Sequence, residues 1–295
     1  MSKKESRPVG LQREQPHRRR LRWWLIPLIL IVALIVALGV WLGGPRIRRA
    51  LQPRPTLPPA AQEQEGAPGV LYQTDFENEA QFADWEQFDD GFISATISDG
   101  QLIVAVNALT DTGGWSGLNL TFDDFVLDVD ATKLAGPDDN AIIVIFRLTD
   151  SENYNRFDIS SDGFYAVSRV RDGVPEIVSD WNTSPAIRTG EATNHIRVIA
   201  VGDTFRFEVN DTPLLLCVNP DPEVRPLWDT TTDPPTCLGG EVTDTWQDGD
   251  LLRGRIGLGA QGYVGFDGES PTPAVATIGF DNVVIRSPDA EEPGP

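Results

Sequence analysis

The sequence predicts an all-β fold, a two-sheet antiparallel sandwich over residues 70–287, preceded by one apolar helix near the N-terminus. From Val70 onward, short runs rich in Val, Ile, Phe, Thr and Tyr alternate with polar residues. Gly, Asp and Asn separate the runs where hairpin turns need positive φ. No stretch of this region keeps the period of 3.6 residues that is typical of a helix for more than about two turns.

Residues 23–42 form the apolar segment, WWLIPLILIVALIVALGVWL, which contains no charged side chain. As a helix this segment is about 30 Å long, the thickness of the hydrocarbon core of a bilayer. Trp23, Trp24 and Trp41 lie at its ends, where indole rings prefer the membrane interface. A cleaved signal peptide is the alternative, but its apolar run is shorter and ends in a small-residue cleavage site. The sequence therefore predicts a transmembrane helix.

The basic residues around this helix predict its orientation. The stub formed by residues 1–22 carries eight Lys and Arg residues, whereas residues 43–54 carry four arginines. Because cytoplasmic flanks carry the excess of positive charge, the N-terminus is predicted to be cytoplasmic and the C-terminal domain extracytoplasmic. The chain is thus predicted to be a single-pass protein of the cell membrane.

Two further segments lack the composition of a packed core. Residues 43–69 are rich in Pro, Ala, Gln and Arg without apolar periodicity, and residues 288–295 read PDAEEPGP. Such segments bury too little apolar surface to fold alone. We predict an extended or disordered linker over residues 43–69 and a solvated tail over residues 288–295.

The charge of the chain is divided unevenly. Residues 55–295 carry 12 Lys and Arg against 42 Asp and Glu, a formal charge of −30. A negative field of this size repels polyphosphate, so nucleic acid is excluded as a partner of the domain. The acidity indicates either the solubility of an exposed domain or cation binding.

The chain has two cysteines, Cys217 and Cys237. In an oxidising compartment they are predicted to form a disulfide, and two buried free thiols are the alternative. With both cysteines in a disulfide, two histidines are too few for a zinc cluster. Residues 217–249 break the strand pattern with several prolines and are predicted to be a surface insertion pinned by the disulfide, with Trp228 and Trp246 exposed.

Strand alternation predicts which side chains lie outside the core. In residues 155–160, Arg156 and Asp158 oppose Phe157 and Ile159. Together with Tyr154 and with Arg147 from the preceding strand, they predict a polar surface edged by an aromatic ring. Such a surface binds sugars through planar hydrogen bonds and ring stacking. Ordinary cross-strand ion pairs are the alternative.

Trp115 and Trp181 both lie beside predicted turns. An indole ring in that position is either a stacking platform for a ligand or a plug at the end of a sandwich. We include both residues as candidate ligand contacts.

Several stretches resemble a known superfamily. They are residues 123–181 (DDFVLDVDATKLAGPDDNAIIVIFRL and the segment that follows), residues 194–215 (NHIRVIAVGDTFRFEVNDTPLL), residues 254–260 (GRIGLGA) and residues 280–285 (FDNVVI). They are similar to concanavalin A-like lectin/glucanase domains, and most of all to the laminin G-like and 3-keto-disaccharide hydrolase-like jelly rolls. These motifs specify a fold and carry little information on activity.

The resemblance implies a two-sheet jelly roll with a concave face, frequent carbohydrate binding and a structural Ca²⁺ near the first and last strands. The positions that match such a calcium site are Asp75, Glu77 and Asp281, whose oxygen ligands suit the ion. Turn and helix-cap roles explain these carboxylates equally well.

No catalytic residue is predicted. Laminarinase-like members of the superfamily carry a Glu-x-Asp-x-x-Glu strand for retaining hydrolysis, and the nearest counterpart, Asp128 and Asp130, lacks both glutamates. His195 has no Gly-x-Ser-x-Gly partner. The preferred hypothesis is a non-catalytic module that binds a glycan or cell-surface polysaccharide. The alternatives are a glycoside-processing enzyme of the 3-keto-disaccharide hydrolase type and a structural or protein-interaction ectodomain.

Overall fold

A computed structural model describes residues 57–62, 68–221, 224–267 and 270–291 of the chain. The transmembrane helix predicted over residues 23–42 and the stub before it lie outside these ranges. Within the described ranges, no helix has the length and apolar character needed to cross a bilayer.

The described residues form strands with two short 3-10 helices, Glu79–Asp84 and Pro288–Glu291. The first eleven strands are β1 (Val70–Thr74), β2 (Phe88–Asp89), β3 (Ile93–Ser98), β4 (Gln101–Ala108), β5 (Thr112–Gly117), β6 (Phe125–Ala135), β7 (Asn140–Asp150), β8 (Asn153–Ile159), β9 (Phe164–Arg171), β10 (Val174–Thr183) and β11 (Asn194–Val201). The others are β12 (Thr204–Val209), β13 (Thr212–Pro213), β14 (Leu216–Val218), β15 (Leu227–Asp229), β16 (Thr236–Leu238), β17 (Glu241–Thr243), β18 (Trp246–Gln247), β19 (Arg255–Gly262), β20 (Gly265–Asp267), β21 (Ser270–Thr272) and β22 (Ala274–Arg286).

Two antiparallel sheets pack face to face. The ten-stranded sheet has the order β13-β12-β11-β6-β22-β4-β3-β2, with β1 beside β22 and β18 beside β12. The six-stranded sheet has the order β10-β9-β8-β7-β19-β5. The all-β antiparallel sandwich predicted from the sequence is therefore confirmed.

Alternating apolar residues of both sheets form the core between them. Phe157 of β8 and Phe207 of β12 are both buried, with ring centroids 4.7 Å apart. Ile159 and Phe205 belong to the same cluster. Arg156 and the other alternate residues of these strands point away from the core, as the period of two predicts.

The structure corrects the placement of Arg147. Its φ is +54°, and the pairing of β7 with β8 shifts register just after it, so the side chain turns into the end of the sandwich. There the fully buried guanidinium donates to the carbonyl oxygens of Phe122 (3.2 Å) and Gly202 (3.1 Å). It also lies over the rings of Phe125 and Phe205. Arg147 is thus a core residue and not part of the polar surface.

The insertion (residues 217–249) carries the predicted disulfide. Cys217 and Cys237 are bonded, with their Cα atoms 5.4 Å apart. Within the insertion, β14 pairs with β17 and β15 pairs with β16. The predicted exposure of Trp246 is wrong, because the residue is 4% exposed and its ring packs against Phe205 in the core.

Part of the predicted linker is held on the sandwich. The backbone N–H of Ala61 donates to the carbonyl oxygen of Thr121 (2.8 Å), and the N–H of Thr121 donates to the carbonyl oxygen of Pro59 (3.0 Å). Ala61 also packs against the core. Residues 57–62 are therefore a docked segment, because paired backbone groups replace the solvation that a free linker would have.

Candidate functional site

The outer face of the six-stranded sheet, the side turned away from the core, has an apolar floor. The floor consists of Ala141, Ile143 and Ile145, alternate residues of β7 that are almost completely buried even though they face away from the other sheet. Three half-buried aromatic side chains cover them: Trp115, Tyr154 and Trp181. This face is therefore a platform of aromatic rings on a rigid aliphatic layer.

Glycines make room for Trp115 on this platform. Trp115 of β5 stands opposite Gly259 of β19, and a Cβ added at Gly257 would lie 2.9 Å from Cδ1 of the indole ring. The ring occupies the space that a side chain at Gly257 would fill, and a Cβ at Gly259 would meet the Cβ of Trp115 at 2.8 Å. Its centroid is 5.1 Å from that of Tyr154, with the two rings tilted by 55°.

A polar group occupies the centre of the outer face. The Arg156 Nε–H faces both carboxylate oxygens of Asp158 at 2.7 Å, and Nη2 donates to Oε1 of Gln261 at 2.7 Å. The side chain of Arg156 is 18% exposed and that of Asp158 is 6% exposed. Burial raises the pKa of Asp158, although the guanidinium of Arg156 opposes this effect.

A cleft of about 450 Å³ adjoins this polar group. Its lining includes Trp181, Tyr263, Phe164 and Asn140, together with Asp139 and Asp162. Burial is the largest cause that raises the pKa of Tyr263 to about 12, and the negative charges of Asp158, Asp139 and Asp111 contribute. Carboxylates and aromatic rings therefore line the cleft together.

Five of the six predicted ligand contacts share this face. Tyr154, Arg156 and Asp158 alternate along β8, while Trp115 and Trp181 reach inward from the edge strands β5 and β10. Arg147, the sixth predicted contact, is buried in the end of the sandwich and does not belong to this face. Gln261 was not predicted, because its hydrogen bond to Arg156 depends on β19 lying beside β7, a pairing between distant parts of the chain. Tyr263, which follows β19 and lines the cleft, was missed for the same reason.

Two of the three residues proposed for calcium accept hydrogen bonds from nearby backbone groups. Oδ1 of Asp75 accepts the N–H of Glu77 (3.2 Å), and Oδ1 of Asp281 accepts the N–H of Asn282 (2.6 Å). Burial raises the pKa of Asp281, with Asp130 and Asp75 contributing. Across the described part of the chain, no three His, Cys, Asp or Glu side chains are arranged to hold a metal ion. The calcium site stays a prediction.

His195 lies on the ten-stranded sheet, away from the cleft. Its Nδ1 is 2.9 Å from Oδ1 of Asp130, and its Nε2 is 3.1 Å from Oδ1 of Asp128. Both ring nitrogens face carboxylates, so neither is directed at a nucleophile that it would activate.

Comparison with known proteins finds no matching family model and no matching curated protein. The chain is similar to the carbohydrate-binding module CBM66 from Bacillus subtilis, with 17% identity over 69% of this chain and 96% of that one, and a TM-score of 0.44. It is also similar to a galectin-like Bacillus subtilis protein of unknown function, with 13% identity over 77% and 98% of the two chains and a TM-score of 0.46. The alginate lyase Aly36B has 14% identity over 79% and 99%, with a TM-score of 0.41. Similarity at this level assigns no function.

Proposed function

We propose that the chain is a membrane-anchored, extracytoplasmic protein that binds a glycan on the outer face of its six-stranded sheet and has no catalytic activity. The observation that carries this proposal is the arrangement of three half-buried aromatic rings around the polar group of Arg156, Asp158 and Gln261. Aromatic faces stack on the apolar side of sugar rings, while planar polar groups bond the hydroxyls. A rigid floor keeps both in place.

The dimensions of this face favour an oligosaccharide over a single sugar. Trp181 and Trp115 come from β10 and β5, the two edge strands, which are five strand spacings apart. At about 4.8 Å per spacing, the backbones of these strands are separated by about 24 Å. Because both indole rings reach inward from these strands over the same floor, a chain of sugar units laid across the strands contacts both rings.

The charge of the cleft favours a neutral polysaccharide. Asp139 and Asp162 are exposed at its rim, and the guanidinium of Arg156, on the same face, is already paired with Asp158. Uronic acid and sulfated polymers bring negative charge to this rim and are repelled. We therefore infer that neutral glycans bind more tightly than anionic ones, and that nucleic acid does not bind.

A glycoside-processing enzyme is the second candidate. The observation that favours it is Asp158, because a buried carboxyl with a raised pKa beside a cleft has the property of a general acid. Asp139 or Asp162 would then have to act as its base. Incubating each bound glycan with the protein and following product release by mass spectrometry separates the two candidates.

A protein-interaction ectodomain is the third candidate. It is favoured by large apolar side chains exposed on loops and short strands, namely Phe266, Phe92 and Leu109. Such side chains are often buried by a protein partner.

The test is a binding screen with the full-length protein in mild detergent. Neutral and anionic oligosaccharides are compared with and without Ca²⁺, so that the calcium prediction is tested in the same experiment. For any glycan that binds, Trp181→Ala and Tyr154→Ala are expected to weaken binding by about tenfold or more, if a sugar stacks on an aromatic ring about as strongly as a nucleobase, for which stacking is worth about 1–3 kcal/mol.

Phe88→Ala is the matched control, because Phe88 is an exposed aromatic residue on β2 at the edge of the other sheet. Its affinity should equal that of the unsubstituted protein. Failure of every glycan to bind, or equal binding by all three variants, would remove the outer face as a glycan site and favour a protein partner.

A further inference from the structure

The insertion is attached to the strand that carries Trp181. Ser179 of β10 is fully buried, and its Oγ accepts two hydrogen bonds from the insertion. The donors are the backbone N–H of Cys217 (3.0 Å) and Nε1 of Trp228 (3.2 Å). Ser179, which accepts both hydrogen bonds, lies two residues before Trp181 in the sequence.

A second connection runs through the neighbouring residue. Arg225 of the insertion donates from Nη2 to Oδ2 of Asp180 at 2.7 Å. The other carboxylate oxygen of Asp180, Oδ1, accepts the backbone N–H of Trp181 at 2.9 Å. The insertion therefore reaches the backbone of Trp181 through a single side chain.

The strand at this point is irregular, so its conformation depends on outside contacts. The pairing of β10 with β9 shifts register between Ile177 and Ser179 and again between Ser179 and Asn182. Asp180 and Trp181 fall within the second irregularity, where a bulge directs a side chain away from its regular position. Regular ladder hydrogen bonds alone do not determine the position of Trp181.

The disulfide closes these contacts into a ring. Cys237, the partner of Cys217, stands directly opposite Trp228 in the pairing of β15 with β16. The ring thus runs from Ser179 to Cys217, through the disulfide to Cys237, across to Trp228 and back to Ser179. Reduction of the disulfide opens the ring without removing either hydrogen-bonding group.

We propose that the disulfide-closed insertion is a positioning element that holds Trp181 over the cleft, with Trp228, Arg225 and Ser179 as positioning residues. The role in binding rests on the proposed glycan function, whereas the effect on Trp181 does not. The three residues act through the bulge of β10 and have no assigned contact with the ligand.

The test uses the full-length protein labelled with 5-fluorotryptophan, with the ¹⁹F resonance of Trp181 assigned by its loss in Trp181→Phe. The variants are Trp228→Phe, which removes the hydrogen bond to Ser179 but keeps a ring, and Arg225→Gln, a change of a largely exposed side chain. Both, and reduction of the disulfide, are expected to shift or broaden the Trp181 resonance. Glycan affinity is expected to fall about three- to tenfold, as for a loss of one hydrogen bond.

Trp85→Phe is the matched control, because it also removes a hydrogen bond that an indole N–H donates. Trp85 is buried beside Leu118, and its Nε1 donates to the hydroxyl of Tyr72 (3.0 Å). It should leave the Trp181 resonance in place. An unchanged Trp181 resonance in folded Trp228→Phe and Arg225→Gln overturns the proposal. If the resonance shifts but no glycan binds the unsubstituted protein, the positioning role stands and the glycan function fails.

Discussion

At the scale of single residues, the Arg156–Asp158 pair determines the character of the outer face. Asp158 is almost fully buried, and the guanidinium of Arg156 compensates its negative charge. Removing one partner of a buried ion pair costs about 3–5 kcal/mol, because the other charge is left uncompensated. The partial exposure of Arg156 places this pair at the lower end of that range.

Arg156→Met is therefore expected to reduce stability by about 3 kcal/mol at pH 7. Burial already raises the folded-state pKa of Asp158, and loss of the guanidinium raises it further. A carboxyl with a raised folded pKa favours the folded state at low pH and loses this effect as pH rises through that pKa. Thermal unfolding followed by circular dichroism should show a smaller deficit at pH 4 than at pH 7. Arg206→Met, an exposed change on β12, is the control, and an equal deficit at both pH values would contradict the prediction.

His195 carries a second residue-scale prediction. Burial lowers the pKa of His195, but its hydrogen bonds to Asp130 and Asp128 outweigh burial and raise it overall. The stabilisation from this histidine is present in full below the unfolded pKa and is lost as pH rises through the folded pKa. In a His17→Ala background, where His195 is the only imidazole, NMR titration should give a pKa above the ordinary value. Asp130→Asn should lower that pKa, and an unchanged titration would disprove the assignment of Asp130 as its partner.

At the scale of elements, the tight pairing of β5 with β19 positions Trp115. A Cβ at Gly259 would lie 2.3 Å from the carbonyl oxygen of Gly114 and 2.8 Å from Cβ of Trp115. Backbone atoms this close cannot yield without moving a strand, so Gly259→Ala should cost about 1–3 kcal/mol, as overpacking does. It should also weaken glycan binding by displacing the ring.

Gly249→Ala is the matched comparison for this prediction, because a Cβ at Gly249 meets no atom within 4 Å and its φ is not positive. Denaturant unfolding of the two variants measures the difference between their free energies of unfolding. Equal stability of Gly259→Ala and Gly249→Ala would show that β19 tolerates a side chain beneath Trp115.

Sequence alternation predicted the elements well and the site in part. A period of two places Phe157 inside and Arg156 outside without any knowledge of neighbouring strands. It failed at Arg147, since a register shift and a positive φ reverse the face at that residue. Gln261 could be assigned to a face but not to Arg156, because the contact joins residues 105 positions apart. Trp246 was missed for a similar reason, as β18 pairs with β12 from inside the insertion.

At the scale of the whole molecule, the candidate site and the His195 cluster lie on different sheets. The six-stranded sheet carries the aromatic platform and the cleft, while the ten-stranded sheet carries His195 and its carboxylates. The docked segment, residues 57–62, joins the sandwich beside Thr121, which precedes β6 in the sequence. The candidate site and the attachment of residues 57–62 thus involve different residues.

The redox state of the disulfide indicates on which side of the membrane the sandwich lies, so it tests the proposed topology. Cys217 and Cys237 become oxidised in an extracytoplasmic compartment and stay reduced in the cytosol. Replacing the four arginines of residues 18–22 by serine leaves four basic residues on each side of the predicted helix and so removes the charge bias, and a mixture of orientations is expected. Thiol labelling of the protein from cells should then show a reduced fraction that the unsubstituted chain lacks.

The opposite change, serine for the four arginines of residues 46–54, strengthens the bias and should leave the disulfide fully formed. A fully oxidised protein in both variants would mean that these charges do not orient the chain, and a reduced unsubstituted protein would place the sandwich in the cytosol.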